Sequence, residues 1–145
     1  MIPGHDAPTV LLVDDEACIR FSVSRVLQRA GFRAVTAATG LEALDRLRSE
    51  PVAAVVCDLR LPGLSGAALF EQIQAASPEL RGRILIASGD LSQPETGRLR
   101  ERTGAPALLK PYGTSELLAA LDRMCGLTDR AAACRAPLGG ARAAS

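Results

Sequence analysis

The sequence predicts one α/β domain built on a parallel sheet with helices on both faces. Three observations carry this. Short, uniformly apolar runs alternate with amphipathic segments. The alternation repeats five times. Each apolar run stops at a polar or charged residue. Strands that are apolar on both faces are buried on both faces, and strand–helix repetition is how parallel sheets are covered. Right-handed crossovers then leave few topologies, and the ligand site of such a sheet lies beyond the carboxyl ends of its strands.

The elements follow in order. Thr9-Val10-Leu11-Leu12-Val13 is the first strand, ended by Asp14 and Asp15. Residues 16–30 carry Ile19, Val23, Val26 and Leu27 at helical spacing, and Gly31 is placed as a stop. Phe32 to Ala37 reads as the second strand. Leu41, Ala43, Leu44 and Leu47 mark a helix ending near Ser49, before Pro51. Val52 to Cys57 is the third strand, ended by Asp58, and Leu59 to Ser65 reads as a loop. A helix over about 66–76 buries Leu69, Phe70 and Ile73. Arg83 to Ala87 is the fourth strand, ended by Ser88-Gly89-Asp90. Segment 93–102 is a weaker helix whose main apolar residue is Leu99. Ala105 to Leu109 is a short fifth strand, ended by Lys110-Pro111. The last helix runs from Ser115 to Met124 behind a Thr114 or Ser115 cap, with Leu117, Leu118 and Leu121 on one face.

At 145 residues the chain has room for one domain and short ends. Residues 1–8 read as a disordered leader, 9–125 as the domain, and 126–145 as a mobile tail of Ala, Arg and Gly. Seventeen basic against sixteen acidic side chains leave a net charge of +1, which gives no push toward nucleic acid or a membrane surface. With 48% hydrophobic and 23% charged residues, a long disordered chain and a fibrous one are excluded. Only 3% are aromatic, so Leu, Val, Ile and Ala must build the core. No apolar run is long enough to span a bilayer, and the first residues lack the pattern of a secretory signal. Cys18, Cys57, Cys125 and Cys134 show no metal-ligand spacing. Reduced thiols and a cytoplasmic location are therefore expected, with Cys57 buried. His5, the only histidine, falls in the leader.

A parallel sheet gathers the residues that end its strands on one rim. Here these are Asp14, Asp15, Asp58, Ser88 and Lys110. Three carboxylates in a small space repel unless a cation is present, and a hard divalent ion such as Mg²⁺ suits oxygen ligands. Lys110 adds a second positive charge. An anion with several oxygens would be compensated between the two, with Ser88 in hydrogen-bonding range. A phosphoryl group carried on a carboxylate fits this chemistry.

On these residues the chain resembles the receiver domain of two-component response regulators. The matching stretches are Leu11-Leu12-Val13-Asp14-Asp15-Glu16, Cys57-Asp58-Leu59-Arg60-Leu61-Pro62-Gly63-Leu64-Ser65-Gly66, Ser88-Gly89 and Lys110-Pro111-Tyr112. They cover roughly residues 8–124. The resemblance implies a flavodoxin-like fold: a doubly wound, five-stranded parallel sheet in the order 2-1-3-4-5 with five helices. It implies Asp58 as phosphoacceptor and Ser88 as the hydroxyl that turns toward the phosphoryl oxygen. Lys110 would pair with the phosphate, and the bond before Pro111 would be cis. It implies Mg²⁺ held by Asp15, Asp58 and the backbone carbonyl of Arg60, with Asp14 acting through water. The implied phosphoryl donor is a histidine kinase or phosphotransfer protein. The chain would be a switch that assists its own phosphorylation and dephosphorylation, rather than an enzyme. Neither direct nucleic-acid binding nor a membrane contact is implied. The fourth helix and fifth strand would offer a homodimer face.

The sequence also departs from the family pattern. Ala107 stands where a Phe or Tyr often couples to the hydroxyl, so a different readout of phosphorylation is expected. Arg60 and Asp90 each lie two residues beyond a site residue and could pair across the crevice. The stretches 87–96 and 103–106 look like receivers of hybrid histidine kinases. Two other readings remain at this point: a pseudo-receiver acting without phosphorylation, and a haloacid-dehalogenase-like phosphatase. The second wants Asp-x-Asp at its nucleophile, whereas this chain has Asp58-Leu59-Arg60.

Overall fold

The computed structural model describes residues 7–61 and 64–125. The expected leader lies outside the described residues except for its last two positions, and the expected tail lies wholly outside them. Five strands form one parallel sheet: β1 (Thr9–Val13), β2 (Arg33–Ala37), β3 (Ala54–Asp58), β4 (Ile84–Ser88) and β5 (Ala107–Leu109). Their spatial order is β2-β1-β3-β4-β5, the doubly wound order expected. The helices are α1 (Ala17–Arg29), α2 (Gly40–Ser49), α3 (Gly66–Ala76), α4 (Pro94–Thr103) and α5 (Thr114–Cys125).

Strand alternation sorts the core into two layers. Leu11, Val13, Val55, Cys57, Ile84 and Ile86 face Ala43 and Leu44 of α2, Leu69, Phe70 and Ile73 of α3, and Leu99 of α4. Val10, Leu12, Ala54, Val56, Leu85 and Ala87 face Val23 and Leu27 of α1 and Leu117, Ala120 and Leu121 of α5. Hence α1 and α5 cover one face and α2, α3 and α4 the other. Each fully buried leucine contributes about 2 kcal/mol by leaving water, so this aliphatic core needs few aromatics.

Several local expectations are corrected. Leu41 does not face the core; it is 76% exposed at the start of α2. The cap of α5 is Gly113, not Thr114 or Ser115. The Gly113 carbonyl accepts the first helical bond, from Leu117 N–H, and its N–H donates to Glu116 Oε1 at 2.7 Å. Within segment 59–65, residues 60–61 and 64–65 pair as two short antiparallel strands, Arg60 with Ser65 and Leu61 with Leu64. Pro78–Leu80 adds a single 3-10 turn. Gly31 does end α1, at φ 99°, and Gly104 ends α4 at φ 72°. Both are left-handed positions that a side chain disfavours.

Candidate functional site

Parallel register brings the strand ends together. Val13 lies beside both Ala37 and Cys57, Asp58 beside Ala87, and Ser88 beside Leu109. Asp14 therefore leaves β1, Asp58 ends β3 and Lys110 leaves β5 at one level. Backbone bonds pin this rim: Asp14 N–H donates to Ala37 and Lys110 N–H to Ser88. The Lys110–Pro111 bond is cis, as the resemblance implied.

Lys110 is the hub. Its Nζ donates to Asp14 Oδ2 at 3.0 Å and to Asp58 Oδ2 at 3.2 Å. Glu16 Oε1 lies 3.8 Å away, a contact signalled in the chain only by its place after the two aspartates. The remaining carboxylate oxygens are also held. Asp14 Oδ1 accepts from Glu16 N–H at 2.9 Å, and Asp58 Oδ1 accepts from Arg60 N–H at 2.9 Å. Arg20 Nη1 donates to the Asp14 carbonyl at 2.9 Å. These bonds fix two acidic side chains that are almost wholly buried, Asp14 at 1% and Asp58 at 3% exposure.

Asp15 completes the acidic group from the exposed side. One carboxylate oxygen each from Asp14, Asp15 and Asp58 lie within 4.8 Å of one another. Three hard oxygen donors at this spacing suit a divalent cation, which would offset their repulsion. The cluster could thus hold a metal ion. Of Arg60, the structure places the N–H on Asp58; its side chain is exposed.

Ser88 is buried beside this group, but its hydroxyl is engaged elsewhere. It donates to the Asp90 carbonyl and accepts from Asp90 N–H, both at 3.2 Å. It also borders a cavity of ≈ 220 Å³ with Arg60, Gln93 and Thr96. Among the described residues Arg60 and Asp90 do not form the expected close ion pair, although the Arg60 charge still helps to lower the Asp90 carboxyl. The Asp90 carboxylate instead accepts from Ser92 N–H, the Ser92 hydroxyl and Gln93 Nε2. Local donors two and three residues on cost less ordering than reaching across a crevice. Those bonds, to Ser92 first, hold the Asp90 carboxyl below its ordinary range.

The electrostatics follow from burial. Loss of water raises the Asp58 carboxyl above the usual range; the Arg60 N–H and Lys110 pull it down, Asp14 pushes it up, and the net shift is upward. Burial works against the Lys110 ammonium. The bond it donates to Asp14 and the attraction of Asp58 outweigh it, so the net shift is upward. Burial, and then the nearby Asp58 charge, push the Cys57 thiol up to about 12. Tyr112 reaches about 12 through burial and then the Asp14 charge. The sequence marked Tyr112 only as following Pro111.

A family model described as the response regulator receiver domain matches residues 10–122. The transcriptional regulatory protein DctD for C4-dicarboxylate transport in Rhizobium meliloti (strain 1021) is 31% identical over 117 residues. The match covers 81% of this chain and 25% of DctD. The DNA-binding transcriptional regulator NtrC of Klebsiella pneumoniae gives 33% over 112 residues, 77% of this chain and 24% of NtrC. The chain thus spans about a quarter of these longer relatives. It covers 90% of sporulation initiation phosphotransferase F of Bacillus subtilis (strain 168), at 27% identity over 79% of this chain. Among solved structures, Vibrio cholerae chemotaxis protein CheY4 superposes at TM-score 0.73 with 31% identity, covering 81% of this chain and 98% of that one. The receiver domain of sensor histidine kinase PA1611 from Pseudomonas aeruginosa PAO1, solved with magnesium in its active site cleft, gives TM-score 0.71 and 25% identity. It covers 81% of this chain and 97% of its own.

Proposed function

This chain belongs to the response regulator receiver domain family, and from that premise we propose that it signals by accepting a phosphoryl group on Asp58. The observation that carries the reading is the pairing of Lys110 with two buried carboxylates, Asp14 and Asp58, at 3.0 and 3.2 Å. A half-buried lysine held between two buried acids is a cation prepared for further negative charge.

A phosphohistidine on a histidine kinase or phosphotransfer protein, or a small acyl phosphate, is the donor. An Asp58 carboxylate oxygen attacks phosphorus; the new O–P bond forms as the bond to the leaving group breaks, and that group departs with the electron pair. The Arg60 N–H on Oδ1 fixes the direction of the carboxylate. Lys110 must turn from Asp58 Oδ2 toward the incoming oxygens, where it stabilises charge in a largely dry site. Asp15, Asp58 and the Arg60 carbonyl, with Asp14 through water, would hold Mg²⁺. When bound, the ion neutralises charge on the phosphoryl oxygens and orients them. Ser88 exchanges its bonds to Asp90 for one to the phosphoryl group, and the change at the β4–α4 turn is the signal.

The haloacid-dehalogenase-like and pseudo-receiver readings are not favoured: the family match runs through the whole domain, and every acceptor-site residue is present. Among the described residues no helix is long and apolar enough to cross a membrane. Leu109, 54% exposed on the edge strand β5, supports a homodimer face there.

Intact-mass measurement after incubation with acetyl phosphate tests the reading. One phosphoryl group should be added with Mg²⁺, little without it, and none in Asp58→Asn. Labelling that persists in Asp58→Asn would remove Asp58 from the role.

A further inference from the structure

Ser88 ends β4 almost wholly buried, at 2% exposure. Both bonds of its hydroxyl go to the backbone of one residue, Asp90, at 3.2 Å each. These lie at the long end of the range for a hydroxyl, so the hold is weak and depends on where the Asp90 backbone points. That backbone is not free to turn. The Asp90 carboxylate accepts from Ser92 N–H at 2.9 Å, from the Ser92 hydroxyl at 2.5 Å and from Gln93 Nε2 at 3.1 Å. Bonds to a charged acceptor are the stronger kind. Asp90 therefore holds Ser88 with its backbone and residues 92–93 with its side chain.

Gln93 is where α4 begins. Its carbonyl accepts the first helical bond, from Gly97 N–H at 3.1 Å, and Pro94 follows it. Its side chain makes no capping bond and reaches back to Asp90 instead. The helix behind it is lightly anchored, burying only Thr96 and Leu99. The cavity of ≈ 220 Å³ bordered by Ser88, Gln93 and Thr96 leaves room for this turn to rearrange without compressing packed atoms. A weakly held hydroxyl, a strongly bonded brace and free space thus meet between Ser88 and α4.

We propose that Asp90 is a positioning residue: its carboxylate, bonded to Ser92 and Gln93, fixes the backbone that keeps Ser88 in its resting position, and so sets how readily the hydroxyl turns to a phosphoryl group on Asp58. No covalent bond changes. A ligand binds more weakly by the fraction of protein held outside the competent arrangement, so loosening the brace raises the affinity of the site for a phosphoryl group. The inference rests on the receiver reading given above and names a control on that same site.

Calorimetric titration of the full chain with beryllofluoride, a phosphoryl mimic, in MgCl₂ tests this. Asp90→Ala should bind it about 3- to 10-fold more tightly than wild type, the worth of one hydrogen bond. Asp90→Asn keeps an oxygen for both Ser92 bonds and should stay within about twofold of wild type. The double variant Ser92→Ala/Gln93→Ala keeps the Asp90 charge but loosens the brace, and should tighten binding in the same direction; it decides the matter if Asp90→Ala fails to fold. In a Ser88→Ala background Asp90→Ala should make no difference, because the brace then has no hydroxyl to hold. Asp90→Asn behaving like Asp90→Ala overturns the proposal, since charge beside the site would be the cause. A gain that survives in Ser88→Ala overturns it as well, as does unchanged or weaker binding in the loosened variants. A wild type that neither binds beryllofluoride nor takes a phosphoryl group from acetyl phosphate overturns the receiver reading first, and this inference with it.

Discussion

Replacing Asp58 by Asn is expected to make the metal-free protein more stable, although it removes a partner of the Lys110 salt bridge. Asp58 and Asp14 are both buried, with carboxylate oxygens no more than 4.8 Å apart. At an effective dielectric of about 20 this pair repels by at least about 3.5 kcal/mol, and Lys110 Nζ at 3.2 Å returns about 5 kcal/mol. Asp15 is exposed, and water screens its share. The pairwise balance thus favours the charged form by only about 1–2 kcal/mol, while dehydrating a carboxylate costs several kcal/mol. The upward shift of the Asp58 carboxyl has the same sign. Asn removes the charge but keeps an oxygen for the Arg60 N–H.

A gain of about 1–2 kcal/mol is expected after the lost bond to Lys110 is allowed for, or about 3–10 °C in Tm for a domain of this size. The pH dependence follows. The folded Asp58 holds its proton more tightly than the unfolded chain does. Its contribution to stability is therefore present below the ordinary carboxylate range and lost as pH rises through the folded value. That contribution is lost progressively as pH rises, so the advantage of Asn should grow with pH and shrink in acid. Calorimetry in EDTA at neutral pH measures the difference. Saturating MgCl₂ should narrow it, because an ion that binds the folded wild type more tightly stabilises that form more. A lower Tm for Asp58→Asn in EDTA would refute the reasoning and show that the Lys110 pairing outweighs dehydration.

Three further outcomes are expected. Absorbance titration of the sole tyrosine should give a midpoint of about 12 in the folded protein. The unfolded chain loses this proton at an ordinary value of 10.0, so stability should hold up to there and fall as pH climbs further; a folded midpoint at the ordinary value would mean the hydroxyl is not buried. Iodoacetamide at neutral pH, read by peptide mapping, should label exposed Cys18 and spare Cys57, whose thiol is buried and pushed up to about 12. Leu99→Ala should cost about 2–5 kcal/mol, because Leu99, at 2% exposure, is the one large apolar side chain that α4 buries; its denaturation midpoint should fall, and hydrogen exchange should quicken in α4 before α1.

The rim of the site was legible because a parallel sheet turns sequence into position. Once Val13, Cys57, Ala87 and Leu109 are read as strand residues, Asp14, Asp58, Ser88 and Lys110 have to meet, and their charges predict a cation-compensated anion site. What the pattern does not encode is which of several available partners each group takes. Arg60 and Asp90 are matched in charge and suitably placed, yet Asp90 is satisfied by Ser92 and Gln93, because near neighbours lose less freedom in pairing. Thr114 and Ser115 are good caps, yet Glu116 reaches back to Gly113 and moves the boundary by a residue. Leu41 has the right spacing for a buried face, but helix entry at Gly40 leaves it facing water. The same limit governs Ser88. Sequence shows that Ala107 removes the usual aromatic neighbour, but not where a movement of the hydroxyl would be felt. The structure ties both Ser88 bonds to the backbone of Asp90, and the Asp90 carboxylate to the residues just before Pro94. Any turn of Ser88 toward Asp58 must therefore break the brace at the start of α4, whereas Ala107 offers no bulky side chain to carry the motion through β5.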